Sequence, residues 1–148
     1  MKIEVVTGGF VAFLALAVPQ IGMASCSADD PDGSKVAAAR ATADQQCHDL
    51  GDGCDNAKNH GSYVSCVAHT AKDLSTGTSP SLPRTCKGAV KKCAANSTCG
   101  KAGAVTCYRT DAKGRTKCSI KSSGSLCTAP AGGSVCVGTN ASCCDACT

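Results

Sequence analysis

Aromatic residues are scarce in this sequence. It contains no tryptophan, two phenylalanines and two tyrosines among 148 residues. Both phenylalanines lie within the first 13 residues, so only Tyr63 and Tyr108 remain beyond residue 24. Beyond the same point there are twelve large aliphatic residues, namely four leucines, one isoleucine and seven valines. Because these side chains supply most of the apolar area that a domain buries, the composition excludes a large apolar core.

Motifs of the common enzyme classes are also absent. The sequence has no Gly-x-Ser-x-Gly nucleophile motif, no His-Glu-x-x-His zinc motif and no Cys-x-x-Cys-His haem site. The Cys144–Cys147 pair has a redox-like spacing but no βαβ pattern around it, which a thioredoxin-like site requires. We therefore expect no enzyme activity, no catalytic residue and no cofactor.

Cysteine, by contrast, is abundant. All fourteen cysteines follow residue 25, and a short exported chain with this content is typical of a disulfide scaffold. The sequence predicts that all of them form disulfides, and that the adjacent Cys143 and Cys144 reach different partners. The predicted disulfide cysteines are Cys26, Cys47, Cys54, Cys66, Cys86, Cys93, Cys99, Cys107, Cys118, Cys127, Cys136, Cys143, Cys144 and Cys147.

The first 24 residues predict a secretory signal peptide. A short charged start precedes an apolar run from Val5 to Val18, and small residues at Gly22 and Ala24 mark a cleavage point. A transmembrane helix is the alternative, but it needs about 20 apolar residues, more than this run provides. The expected destination is the periplasm, the cell envelope or the medium.

A second interpretation of the cleavage region concerns a membrane anchor. Residues 23–26, Met-Ala-Ser-Cys, resemble a bacterial lipoprotein box, in which the cysteine is lipidated. Lipidation of Cys26 would attach the protein to a membrane. It would also leave an odd number of thiols, which is unusual in an exported protein.

Beyond the signal the chain divides into three parts. Residues 25–33 read as a flexible acidic lead-in, and residues 34–95 as a cysteine-pinned helical region. In that region, apolar residues at three- and four-residue steps predict three short helices. Ser34 is the expected N-cap of the first helix and Gly51 its stop, while Pro83 lies near the start of the third.

The last two helices are expected to pack as an antiparallel hairpin around the 75–83 loop. In that arrangement Cys66 lies opposite Cys93. The sequence therefore predicts a Cys66–Cys93 disulfide.

Residues 96–148 form a disulfide-rich, short-stranded region. The runs 104–109 and 116–120 are rich in β-prone residues and flank Asp111–Gly114, which reads as a hairpin turn. The expected fold class is a small disulfide-rich α+β protein. Three short helices, two of them packed as a hairpin, form its N-terminal part. A loop-rich segment with a short β-hairpin follows them.

Charge is distributed unevenly. Residues 25–75 carry eight acidic and four basic side chains, whereas residues 76–148 carry ten basic and two acidic ones. Such a basic patch can hold an anionic polymer, or it can be an ordinary solvated surface. Few aromatic residues accompany it, so specific nucleic-acid recognition is not favoured. The basic residues are Arg84, Lys87, Lys91, Lys92, Lys101, Arg109, Lys113, Arg115, Lys117 and Lys121.

Two further functions stay open at this stage. A protease inhibitor or toxin-like effector would display the segment Arg109–Lys117 rigidly to its partner. A metal-binding domain would use His60 and His69, with Cys66 three residues before His69. In an oxidising compartment disulfides are favoured over metal thiolates, so no metal site is predicted.

Three stretches of the chain resemble known sequences: Asn59–His69, Lys117–Lys121 and Cys143–Cys147. They look like uncharacterised exported cysteine-rich proteins of environmental bacteria, for which no activity is known. The resemblance implies bacterial export and transfers no catalytic or binding residue. Together with the composition, it leads us to expect a disulfide-stabilised structural or binding protein of the cell envelope or extracellular space.

Overall fold

The computed structural model describes Cys26 and residues 32–148 of the chain. The predicted signal peptide, residues 1–24, lies outside the described residues, as do residue 25 and residues 27–31 of the predicted lead-in. Within the described part, three helices precede a three-stranded antiparallel sheet, and seven disulfides cross-link the chain. This confirms the predicted small disulfide-rich α+β fold.

Three α-helices build the first half of the molecule: α1 (Gly33–Asp49), α2 (His60–Leu74) and α3 (Lys87–Ala95), the last preceded by a 3₁₀ turn (Arg84–Cys86). They pack against one another around a single apolar cluster. We call residues 33–99 the helical half. Among the described residues, no helix is both long and apolar enough to cross a membrane.

Capping residues account for most of the helix ends. Asn59 caps α2 by accepting a hydrogen bond from the backbone N–H of Ser62, and the Ser62 hydroxyl faces back to the Asn59 N–H, which forms a capping box. Gly51, at φ 80°, follows the end of α1 as predicted. The predicted N-cap of α1 is wrong: Asp32 holds that position, and Ser34 lies inside the first turn.

The apolar core belongs almost entirely to the helical half. One side of each helix contributes to it, together with Leu82 from the loop before α3, and Leu82 and Val90 are fully buried. Alanine and cysteine occupy many positions where larger domains place leucine. The buried cluster consists of Val36, Ala39, Ala43, Cys47, Tyr63, Val67, Ala71, Leu82, Cys86, Val90, Ala94 and Cys99.

All fourteen cysteines are paired, as predicted. Two disulfides lie within the helical half and a third joins Cys26 to it, three lie among the strands and the C-terminal segment, and one connects these two groups. The pairs are Cys26–Cys86, Cys47–Cys66, Cys54–Cys99, Cys93–Cys144, Cys107–Cys127, Cys118–Cys143 and Cys136–Cys147. The adjacent cysteines 143 and 144 do reach different partners.

The predicted Cys66–Cys93 disulfide is wrong. Helices α2 and α3 pack together as expected, but α2 also packs against α1, and Cys66 pairs with Cys47 of α1. Cys93 pairs instead with Cys144, where the C-terminal segment crosses α3 and the Ser142 hydroxyl donates to the Cys93 carbonyl at 2.9 Å. A prediction based on two helices could not include these additional partners.

The second half is a sheet in the order β2-β1-β3, formed by β1 (Val105–Thr110), β2 (Thr116–Lys121) and β3 (Ser134–Gly138). The hairpin between β1 and β2 turns at Asp111, as predicted, with Gly114 at φ 77°. A 3₁₀ turn (Gly124–Leu126) lies between β2 and β3. We call residues 105–148 the sheet half.

One side of the sheet, which we call the inner face, is covered by the C-terminal segment. The Tyr108 hydroxyl donates to the Asp145 carbonyl at 2.6 Å, and the Thr106 hydroxyl lies within 3.2 Å of the Gly138 and Asn140 carbonyls. The disulfides Cys118–Cys143 and Cys136–Cys147 fasten this segment to β2 and β3. The inner face is therefore occupied by the chain itself.

Candidate functional site

The other side of the sheet carries the charges that the sequence singled out. We call it the outer face; the strand register places Val105, Cys107, Arg109, Lys117, Ser119, Lys121, Val135 and Val137 on it. Side chains of directly opposed residues point to the same face of an antiparallel sheet. Arg109, on the central strand, is opposite Lys117 on β2 and opposite Val135 on β3. Lysine, arginine and valine thus form one row across the sheet.

The next rows continue the same division. Cys107 is opposite Ser119 and Val137, and Val105 is opposite Lys121. Side chains alternate along a strand, so Lys117 and Lys121 share a face and lie about 13–14 Å apart along β2. The outer face is therefore cationic on the β2 side and apolar on the β3 side.

Electrostatics within the protein do not favour this arrangement. Like charges directly opposite each other in a sheet are destabilising, and Arg109 and Lys117 form such a pair. In the described part of the chain, no ion pair involves Arg109, Lys117 or Lys121. The charges of this face are therefore left to interact with solvent or with a partner.

Two polar atoms on the same face also lack an internal partner. Among the buried side-chain nitrogen and oxygen atoms of residues 32–148, Arg109 Nε and Ser119 Oγ have no hydrogen-bond partner. Most buried polar groups in native proteins are hydrogen-bonded, so each exception needs an explanation. Both exceptions lie on the outer face, one on the central strand and one on β2.

The hairpin turn adds charge at one end of this face. Lys113 and Arg115 are exposed there. Asp111 Oδ1 accepts hydrogen bonds from the backbone N–H groups of Lys113 and Arg115, and Arg115 Nε donates to Oδ2 at 2.8 Å. Hydrogen bonds from the Arg115 backbone and side chain lower the pKa of Asp111. Arg115 is thus neutralised locally, whereas Lys113 extends the cationic surface of Lys117.

The remaining predicted basic residues lie outside the outer face. Arg84, Lys87, Lys91 and Lys92 are exposed on α3 and the turn before it. Lys101 is half-buried, and its Nζ donates to the Ser97 carbonyl at 3.2 Å. The predicted basic patch is thus two separate groups in the structure, one on α3 and one on the outer face and hairpin turn. Lys101 belongs to neither group.

The apolar part of the outer face was missed by reasoning from the sequence. Val135 and Val137 are 39% and 45% exposed, and Leu126 in the neighbouring 3₁₀ turn is 56% exposed. The signal for β3 was present, since valine alternates with other residues in the run 134–138. The flanking Gly132-Gly133 pair and the shortness of the run concealed it.

A polar cluster joins the two halves of the molecule. Arg40 on α1 forms a bidentate pair with Asp145 at 2.8 and 2.9 Å, and Tyr63 on α2 donates to Asp44 at 2.7 Å. The hydrogen bonds that Arg40 donates to Asp145 raise the pKa of Arg40. Burial, followed by the hydrogen bond to Asp44, raises the pKa of Tyr63. This cluster holds the C-terminal segment on the helices.

A metal site at His60, Cys66 and His69 would lack its ligands. The Cys66 sulfur is bonded to Cys47, and the His60 ring nitrogens lie 2.8 and 3.2 Å from the Cys99 and Ala95 carbonyls. Nowhere in the described part of the chain do three histidine, cysteine or acidic side chains group as metal ligands. His60 instead connects the start of α2 to the end of α3.

The structure does not favour a lipid anchor at Cys26, and it places the segment Arg109–Lys117 in the β1–β2 hairpin. The Cys26 sulfur is bonded to Cys86, and a sulfur in a disulfide cannot carry a lipid thioether. Arg109 and Lys117 are within paired strands, and the turn between them is closed by Asp111. The predicted inhibitory segment is therefore a rigid strand–turn–strand hairpin.

Comparison with protein families, with curated proteins and with solved structures gives no match to this chain. The residues and their geometry are therefore the basis for a functional proposal. Seven disulfides indicate a stable protein that is suited to an oxidising compartment.

Proposed function

We propose that this chain is an exported binding protein that attaches to anionic polymers or surfaces at or beyond the cell envelope, through the outer face of its sheet. The observation that carries the proposal is the opposed Arg109–Lys117 pair: neither side chain forms an ion pair among the described residues, and Asp111 attracts Lys117 without pairing with it. An external anion would relieve the repulsion between these two side chains.

The lysines of α3 also form no ion pair among the described residues, and the outer face is preferred because its cations share one sheet surface. Lys87 and Lys91 are four residues apart, and Lys87 lies in the first helical turn, where the helix dipole disfavours cations. These exposed side chains extend into solvent from a convex helix surface. The outer face instead places three cations on one sheet surface, where several can contact one ligand together.

Disulfides keep the site in its binding conformation. Cys107–Cys127 fastens the 3₁₀ turn to the central strand, and the inner-face disulfides hold β2 and β3. A surface fixed before binding loses little conformational entropy on binding. Export agrees with the signal peptide expected at residues 1–24 and with the resemblance to exported bacterial proteins, both of which belong to this proposal.

The test is binding to immobilised dextran sulfate at increasing salt, with the full oxidised protein. Affinity is expected to fall steeply between about 50 and 300 mM salt, because salt screens exposed charges. The variant R109Q/K117Q/K121Q is expected to bind at least about tenfold more weakly than the unmodified protein at 100 mM salt.

The matched control removes the same number of charges from α3. The variant K87Q/K91Q/K92Q has the same net charge as the outer-face variant and is expected to keep most of the affinity. Equal loss in the two variants would mean that only net charge matters, and the outer face would not be the site. Failure of the unmodified protein to bind at low salt would reject the proposed function itself.

A further inference from the structure

The exposed apolar residues of this protein are concentrated beside its unpaired cations. Of the four large hydrophobic residues exposed in the described part of the chain, Leu126, Val135 and Val137 belong to the sheet half and Leu50 to the end of α1. A β-carbon added at Gly124 would lie 3.9 Å from Cγ1 of Val137, so the turn carrying Leu126 adjoins β3. Leu126 follows Gly124 by two residues in this turn, and we call Leu126, Val135 and Val137 the apolar patch on the β3 side of the outer face.

Val135 of this apolar patch is next to the cations of the outer face. Arg109 is the direct neighbour of Lys117 on one side and of Val135 on the other. Adjacent strands are about 4.8 Å apart, so cation and valine lie within about 10 Å across the sheet. Any ligand that covers this row must offer anionic groups and apolar surface within that distance.

A lipid surface satisfies both requirements. Phosphate head groups accept hydrogen bonds from arginine and lysine, and the acyl boundary beneath them receives small apolar side chains. A hydrophilic polyanion offers the first kind of group and not the second. A lipid surface can contact both the cations and the exposed valines and leucine of this face, whereas a hydrophilic polymer can contact only the cations favourably.

We propose that the outer face docks on an anionic lipid surface, with Arg109, Lys117 and Lys121 on the phosphate head groups and Leu126, Val135 and Val137 at the acyl boundary. This inference rests on the proposed function and names its ligand class. Docking uses no lipid on Cys26, whose sulfur is in a disulfide.

The test uses the full oxidised protein and vesicles of two compositions: phosphatidylglycerol mixed equally with phosphatidylcholine, and phosphatidylcholine alone. Co-sedimentation is expected only with the anionic vesicles, and the R109Q/K117Q/K121Q variant is expected to bind about a hundredfold more weakly, about fivefold per charge removed. The decisive variant is V135S/V137S, which keeps every charge. It is expected to lose at least about fivefold in vesicle affinity and to keep its affinity for dextran sulfate.

Each remaining outcome contradicts the inference in a distinguishable way. Unchanged vesicle binding by V135S/V137S, and by L126S as an independent variant outside the sheet, would show attachment by charge alone. Binding to dextran sulfate without binding to vesicles would reject the lipid surface and leave the proposed function standing. Binding to neither probe would reject both. Salt-dependent self-association without vesicle binding would assign the face to a second copy of this chain.

Discussion

The helical half and the sheet half keep their structures by different means. In the helical half, twelve residues form one buried apolar cluster, and three disulfides reinforce it. In the sheet half, the buried residues are Thr106, Cys107, Tyr108, Cys127 and Ser142. Cys107 and Cys127 form a disulfide, and the other three residues bury polar groups. Cross-links therefore stabilise the sheet half, whereas buried apolar side chains stabilise the helices.

This difference explains how the sheet can leave valines and cations exposed. Strands need a covered hydrophobic face or a packed neighbour to be stable, and here the covered inner face and the disulfides meet that need. Val135 and Val137 therefore stay exposed on the outer face, where Cys107 is buried beside its partner Cys127. The helical half acts as the scaffold and the sheet half as the displaying part.

The largest contrast is expected from two disulfides of nearly equal loop length. Cys107–Cys127 spans 20 residues in the sheet half, and Cys47–Cys66 spans 19 in the helical half. Chain entropy alone assigns each about 3 kcal/mol. We expect the C107A/C127A variant to lose amide protection throughout β1 to β3, because little apolar core remains there.

The matched variant C47A/C66A is expected to lower the free energy of unfolding by about 3 kcal/mol and to keep a cooperative fold. Amide hydrogen exchange, measured strand by strand and helix by helix, distinguishes the two results. A sheet that persists in C107A/C127A would show that the strands hold themselves together.

Truncation of an apolar residue sharpens the same contrast. Leu82 is fully buried in the helical core, and its replacement by alanine is expected to lower the unfolding free energy by about 2–5 kcal/mol. Val137 is exposed in the sheet half, and its replacement by alanine is expected to change the unfolding free energy by less than about 0.5 kcal/mol. Urea titration of both variants checks this, and similar losses in the two would contradict the separation of roles.

A smaller effect is expected where the halves meet. Replacement of Arg40 by methionine removes the bidentate pair with Asp145 and is expected to lower the unfolding free energy by about 1–2 kcal/mol, since both side chains are partly exposed. The control is Lys35→Met, which removes the more exposed pair with Asp32 and is expected to change it by less than about 0.5 kcal/mol. Equal effects would mean that Arg40 does not join the halves.

The smallest expected effect is a dependence on alkaline pH. The pKa of Tyr63 is raised above its ordinary value of 10.0 by burial and by Asp44, so its neutral form is favoured in the folded protein. A raised pKa contributes stability that is complete below pH 10 and is lost as the pH rises above it. Unfolding free energies at pH 8 and pH 11 should therefore differ.

The Tyr63→Phe variant is expected to reduce this difference without abolishing it, because burial also raises the pKa of Tyr108. At pH 8 the same variant is expected to lose about 1 kcal/mol through the missing hydrogen bond. An unchanged pH dependence in Tyr63→Phe would show that Tyr63 does not titrate in this range.

Local patterns in the sequence were sufficient for the three helices and the β1–β2 hairpin, but not for β3 or for the partners of these elements. Three- and four-residue spacing located the helices, and the Asp111–Gly114 turn located the hairpin, because both depend on neighbouring residues. The Cys66–Cys93 pairing failed because it depends on how α1 and the C-terminal segment pack. The basic residues are evident from the sequence, but only the strand register places Arg109 between Lys117 and Val135.

Hydrogen exchange of the fully reduced protein tests whether a core holds the helices and cross-links hold the sheet. We expect amides of β1, β2 and β3 to exchange at unprotected rates, while amides of α2 around Val67 and Ala71 retain measurable protection. Retained protection in the strands with loss in α2, or equal loss in both halves, would contradict it.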